Sequence, residues 1–172
     1  MKKLLLSSFV LLYLCSCVTT TNVKNINNND APLAKIENDK LICLVEVKDG
    51  TYGSKVYPGS GSYVLNIFNV NLQPFASKIQ TIDADNIEEN AKQLGAKYIV
   101  KPTITNWEPR KASWSSRPTR VEMNVSVFDT EQNKNIINTN LSITGRTFTI
   151  VDQSAEGLAS FLIKEFVQNI TK

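Results

Sequence analysis

The chain has 172 residues, 42% of them hydrophobic and 20% charged, with a formal net charge of +3. That is about one domain of ordinary globular sequence, too apolar for wholesale disorder. It has no histidine, which excludes imidazole-based triads and His-ligated metals, and only three cysteines, too few for a disulfide scaffold or a four-thiolate zinc site.

The N-terminus reads as a targeting segment. Lys2 and Lys3 precede an apolar run from Leu4 to Leu14, broken only by Ser7, Ser8 and Tyr13. A basic start followed by a short apolar stretch is the pattern of a signal peptide. As a helix the run would span roughly 16 Å against a hydrocarbon core of about 30 Å, so a permanent membrane span is not expected. The run ends in Leu14-Cys15-Ser16-Cys17. This is similar to a bacterial lipobox, in which a small residue precedes a cysteine that is acylated and becomes the new N-terminus. Cys17 fits, with Ser16 before it and Leu14 three places upstream; Cys15 fits poorly, because bulky Leu14 and Tyr13 precede it. The alternative is an ordinary secretory signal with incidental cysteines. Acyl chains anchor firmly, at about 0.8 kcal/mol per buried CH₂. Val18, not Asp, follows Cys17. By resemblance to enterobacterial lipoprotein sorting this favours the outer membrane, with the protein facing the periplasm.

Cleavage after Ser16 leaves 156 residues, lowers the side-chain charge to about +1 and makes Cys43 the one free thiol. Cys43 sits in an apolar strand pattern, where a buried, inert thiol is expected rather than a redox site. Residues 17–39 follow as the lipidated N-terminus and a flexible tether. They are rich in Thr and Asn and lack periodicity, and as a random coil they would reach about 25 Å. Residues 40–172 then form a single α/β domain.

Its elements follow in order. Leu41 to Val47 is a short apolar run ended by Asp49-Gly50 and reads as a buried strand. A Gly/Tyr/Pro-rich loop leads to Ser60 or Ser62, either able to cap a helix with Val64, Ile67, Phe68, Leu72 and Phe75 on its apolar positions; Pro74 ends it. Lys78–Ile82 is a second strand. Asp83 or Asp85 caps a helix carrying Ile87, Ala91 and Leu94, closed by Gly95. A third strand runs from about Lys97 to Trp107, with Pro102 marking a bulge or a partly free edge. Val121, Met123, Val125 and Val127 alternate with polar residues in the clearest strand. A turn at Glu131–Lys134 returns the chain through a strand from about Ile136 to Thr149. Asp152 or Ser154 caps a last helix with Ala155, Leu158, Ala159, Leu162, Phe166 and Ile170 inward. The order β-α-β-α-β-β-β-α predicts an α/β fold on a mixed five-strand sheet, parallel in its first part and an antiparallel meander in its last, with helices packed on it in two or three layers.

Two segments are candidates for contact. The loop from Asp49 to Ser62, with Tyr52, Tyr57 and Ser60, joins a strand to a helix, where α/β proteins often bind anions. It has neither a P-loop nor a GxGxxG pattern. Its glycines can equally serve turn geometry alone. The second segment, Trp107 to Arg120, gathers both tryptophans with Arg110, Lys111, Arg117 and Arg120. Trp and Arg dominate interface hot spots, so Trp107, Trp114, Arg117 and Arg120 are candidate partner or ligand contacts; otherwise Trp107 covers a sheet end and the charges are solvated. For catalysis there is no histidine base, no SxxK motif and no nucleophile elbow. No enzyme activity, cofactor, metal or nucleic acid is expected.

The motifs Asp49-Gly50-x-Tyr52-Gly53-x-x-Val56-Tyr57-Pro58-Gly59-Ser60-Gly61, Gly95-Ala96-x-Tyr98-Ile99-Val100-x-Pro102-x-Ile104-x-x-Trp107-Glu108 and Trp114-Ser115-x-x-Pro118-x-Arg120-Val121-Glu122 carry a resemblance. They resemble an uncharacterised family of Gram-negative lipoproteins, a domain of unknown function. More distantly, the topology and the Gly95–Val100 step resemble the N-terminal domain of the periplasmic Tol translocation protein. They also resemble outer-membrane lipoproteins that activate peptidoglycan synthases. These resemblances imply a lipid-anchored, non-enzymatic module that docks an envelope protein, or alternatively a small ligand or glycan at the strand-end loops.

Overall fold

The computed structural model describes residues 20–25, 32–110, 117–145 and 153–171, the first of these groups by its backbone alone. The elements, in chain order, are β1 (Thr20–Asn25), β2 (Lys40–Val45), β3 (Thr51–Tyr52), β4 (Lys55–Val56), α1 (Ser60–Leu72), a 3₁₀ turn (Gln73–Phe75), β5 (Ala76–Ile82), α2 (Ile87–Leu94), β6 (Tyr98–Glu108), β7 (Arg120–Asp129), β8 (Lys134–Thr144) and α3 (Ala155–Thr171). The five expected strands form a mixed sheet in the order β5-β2-β6-β7-β8. β2 lies parallel to both β5 and β6, and β6, β7 and β8 form the antiparallel meander.

Alternation along β2 explains why helices lie on both faces. Ile42 and Leu44 point into a large apolar cluster with Val64, Phe68 and Leu72 of α1 and Leu158, Leu162 and Phe166 of α3. Cys43 and Val45 point the other way, against Ala91 of α2 and Ile99. A strand buried on both sides needs apolar residues at every position, and Ile42 to Val45 are all at most 1% exposed. Burial pushes the Cys43 thiol pKa up, which keeps it protonated and unreactive.

Several local readings change. α1 begins after Gly59, which takes a left-handed conformation at φ 86°. Ser60 is not a helix-capping side chain. Instead, the carboxylate of Asp49 in the preceding loop accepts the Gly61 N–H at 2.9 Å, satisfying an orphan donor from outside the helix. At α2 the helix is entered through left-handed Asn86, not Asp83 or Asp85; Gly95 closes it at φ 69° as expected. Ser154 caps α3 by accepting the Gly157 N–H. The bulge in β6 falls between Ile104 and Asn106, not at Pro102. β2 pairs with β6 only over Tyr98–Val100, so Pro102 removes no donor from that ladder.

The largest difference concerns the expected tether. Thr20–Asn25 is a sixth strand, antiparallel to β8, with Thr20 opposite Thr144 and Asn25 opposite Thr139. The outer edge of β8 offers unpaired N–H and C=O groups, and a Thr-rich segment suits a pleated edge. Nor does the packed body begin at residue 40. Ile36 is 5% exposed within the core, and its N–H donates to the Ile170 carbonyl at the end of α3. Among the described residues no helix is long and apolar enough to cross a membrane.

Candidate functional site

The two segments singled out from the sequence meet at one end of the sheet. After β2 the chain turns across β6 at Gly50. A Cβ built there would lie 2.7 Å from the Trp107 Cβ and 2.8 Å from the Ile104 Cγ2, closer than real side chains approach. Only glycine lets the loop run this close. The loop then folds into the two-strand hairpin β3–β4, turning at Gly53 (φ 58°) and Ser54 so that Tyr52 faces Lys55. The hairpin rests beside β6, and its base is closed by the Tyr57 N–H donating to the Gly50 carbonyl.

On the other flank β6 ends at Glu108 and β7 begins at Arg120, paired with each other. Thr119, 1% exposed, pins this flank. Its hydroxyl accepts the Arg110 N–H at 3.2 Å and donates to the Gln153 carbonyl at 2.7 Å, while its own carbonyl accepts the Gly145 N–H. Between hairpin and flank lies an open cleft of about 460 Å³, lined by Tyr52, Lys55, Tyr57, Glu108, Pro109, Arg110 and Arg117. That volume is in the range of small-ligand sites. Lys55 Nζ lies 4.8 Å from the centre of the Tyr57 ring, a cation–π contact. Val56 beside it is 52% exposed. Three cationic side chains and one carboxylate line the cleft with two phenol rings. This chemistry suits an anionic ligand presented along an aromatic wall. A second crevice of about 400 Å³, at the carboxyl ends of β2 and β5, is lined by Glu46, Asp85, Lys48 and Lys101 and so carries balanced charge.

The candidate residues therefore divide. Tyr52, Tyr57 and Arg117 line the cleft. Arg120 stands at its edge, half-exposed and hydrogen-bonded to Glu122. Trp107 and Ser60 do not reach solvent, which corrects their reading as contacts. Trp107 is 1% exposed, sealed by Gly50 and its loop, and Ser60 is 4% exposed. The Ser60 hydroxyl accepts the Gly50 N–H at 2.8 Å and donates to the Tyr57 carbonyl at 2.7 Å, so it ties both ends of the loop together. Trp114 and Cys17 lie outside the described residues. Sequence reasoning did not select Lys55, Glu108 or Thr119. Gly53-Ser54 between Thr-Tyr and Lys-Val is a two-residue hairpin signal, and it would have placed Lys55 opposite Tyr52.

Residues 34–170 match the domain of unknown function DUF4823. The chain belongs to this family. No curated protein sequence matches the chain. Among solved structures it is similar to the PelC dodecamer from Paraburkholderia phytofirmans, at 13% identity and TM-score 0.66, covering 90% of this chain and 99% of that one. A point variant of the same protein gives TM-score 0.65 with the same identity and coverage. At these identities the likeness is one of fold. The lipoprotein GNA1162 from Neisseria meningitidis matches at 16% identity and TM-score 0.45, over 76% of this chain and 97% of that one.

Proposed function

We infer that this DUF4823 chain is a lipid-anchored, non-enzymatic binding module of the bacterial cell envelope, held by acylated Cys17 in the outer membrane and facing the periplasm. We infer further that it meets a negatively charged envelope component at the cleft. The observation that carries the binding reading is the convergence of Tyr52, Tyr57, Lys55, Arg110 and Arg117 on one open cavity. Positive side chains beside aromatic rings recognise anions through charge and planar contact together. The anchor reading is supported by the Ser16-Cys17 step at the end of a short apolar run, and the non-enzymatic reading by a sequence without histidine. An acidic envelope protein, a small anionic glycan and an anionic leaflet all meet the cleft's chemistry; the position of β1 favours the last.

Two measurements test this reading. Fatty-acid labelling of the full chain should be lost in Cys17→Ala; labelling that persists in the variant would overturn the anchor. In envelope crosslinking, Lys55→Glu with Arg117→Glu should remove adducts formed through the hairpin. Adducts unchanged in the double variant would move the binding surface elsewhere.

A further inference from the structure

The register of β1 fixes where the N-terminus leaves the fold. Thr20 is level with Thr144, Thr144 with Arg120, and Arg120 with Glu108. The first residue of β1 thus stands at the same end of the sheet as the cleft. β1 and β6 are three strand spacings apart, about 14 Å. Only Val18 and Thr19 separate Cys17 from Thr20, and three extended residues span at most about 10 Å. A lipid on Cys17 therefore does not hang the domain on a long tether. It brings the cleft end of the sheet to the bilayer surface.

The groups at that end fit such a surface. Among the described residues, this end carries Lys55, Arg110, Arg117 and Arg120 together with Glu108 and Glu122. Tyr52 and Tyr57, each partly exposed, present phenol rings of the kind enriched at membrane interfaces. Lys and Arg near an anionic leaflet each contribute about 1 kcal/mol. We propose that the β3–β4 hairpin and the Arg117–Arg120 edge form a membrane-contacting face, and that the cleft receives the phosphate headgroups of an anionic leaflet. This rests on the acylation of Cys17 and names the partner of the same cleft.

The test uses the full lipidated chain in vesicles of phosphatidylcholine alone or with about one-third phosphatidylglycerol. Hydrogen–deuterium exchange is read segment by segment, and the intact mass reports acylation. In the anionic vesicles, amides at residues 51–57 and 117–120 should exchange several-fold more slowly than in the neutral ones. The 130–134 turn at the far end of the sheet should be unchanged. Lys55→Gln with Arg117→Gln should return exchange at residues 51–57 to the neutral-vesicle rate. Both side chains are on the surface, and an unaltered far-UV spectrum controls for folding. An acylated chain with no protection at residues 51–57, or protected at 130–134, overturns this orientation alone. A chain with no acyl mass overturns the anchor on which it rests. Protection that arises only when envelope proteins are added would assign the cleft to a protein instead.

Discussion

The two ends of the meander use the same residue types in opposite ways. At the turn end, Lys97 Nζ reaches Glu37 at 2.6 Å and Glu131 at 3.0 Å, and Lys40 adds a further contact to Glu37 at 3.5 Å. These four charges answer one another, and the product is a clasp that fastens residues 32–39 to the sheet. The Glu37 N–H also donates to the Tyr98 hydroxyl. At the cleft end, three cations line one cavity with a single carboxylate, and two tyrosines stand beside them. Charges matched inside the fold hold it together. Cationic and aromatic side chains gathered around an open cavity form a surface that something outside the fold can meet.

The strongest way to break this contrast is to remove the floor under the cleft. Trp107 is among the largest fully buried side chains, packed beneath the loop that carries the hairpin. Trp107→Ala should lower unfolding stability by about 3–5 kcal/mol, measured by denaturant titration. A variant as stable as the parent would mean that Trp107 is not a core residue. Next comes the knot at the loop's base. Ser60→Ala leaves the buried Gly50 N–H without its acceptor and should cost about 1–3 kcal/mol. It should also raise exchange at the hairpin more than at the 130–134 turn; a uniform rise would show that Ser60 supports the whole fold rather than the loop. Lys55→Gln with Arg117→Gln should change stability by less than about 0.5 kcal/mol, as surface substitutions do. A larger loss would make the cations part of the clasping machinery and erase the difference between the two ends.

Much of the fold was legible because its signals are local. Val121 to Val127 alternate strictly, the apolar spacing of Ala155 to Ile170 is helical, and Gly95 closes α2, so order and sheet class follow from pattern. Edge strand β1 was not legible. Its pairing depends on what β8 leaves open, and an Asn/Thr-rich stretch carries no periodicity of its own. The cleft was half legible. Composition flagged both segments, since tyrosines, tryptophans and arginines cluster there. But composition does not say which aromatic faces inward. The bulge between Ile104 and Asn106 shifts the alternation of β6 and turns Trp107 to the core side, where a glycine 57 positions earlier in the chain seals it. By position either Ser60 or Ser62 suits a helix cap. The Ser60 hydroxyl instead closes a loop whose other end is ten residues upstream.

The smallest expected effect sharpens the comparison from the clasp side. The hydrogen bond from Lys97 holds the Glu37 carboxyl below its ordinary value of 4.5, with Lys40 adding a weaker attraction. A carboxyl whose pKa is lower in the folded than in the unfolded chain stabilises the fold while ionised. Its contribution is present above the unfolded value and fades as pH falls through the folded one. Lys97 is shifted the opposite way, upward, chiefly by its hydrogen bonds to Glu37 and then Glu131. Its contribution is present below the ordinary lysine value of 10.5 and fades only in stronger alkali. The clasp is therefore intact across the whole neutral range and weakens only in acid, as pH falls through the lowered Glu37 value. Glu37→Gln should leave the fold in place at pH 7, since Glu37 is largely exposed and surface ion pairs contribute little. It should flatten the decline in stability between neutral and acidic pH by a small, measurable amount. Exchange at residues 34–39 should rise, while exchange at 51–57 stays as it was. If acid released the hairpin and the clasp together, the two ends would be one cooperative unit, and the division between holding charge and binding charge would fail.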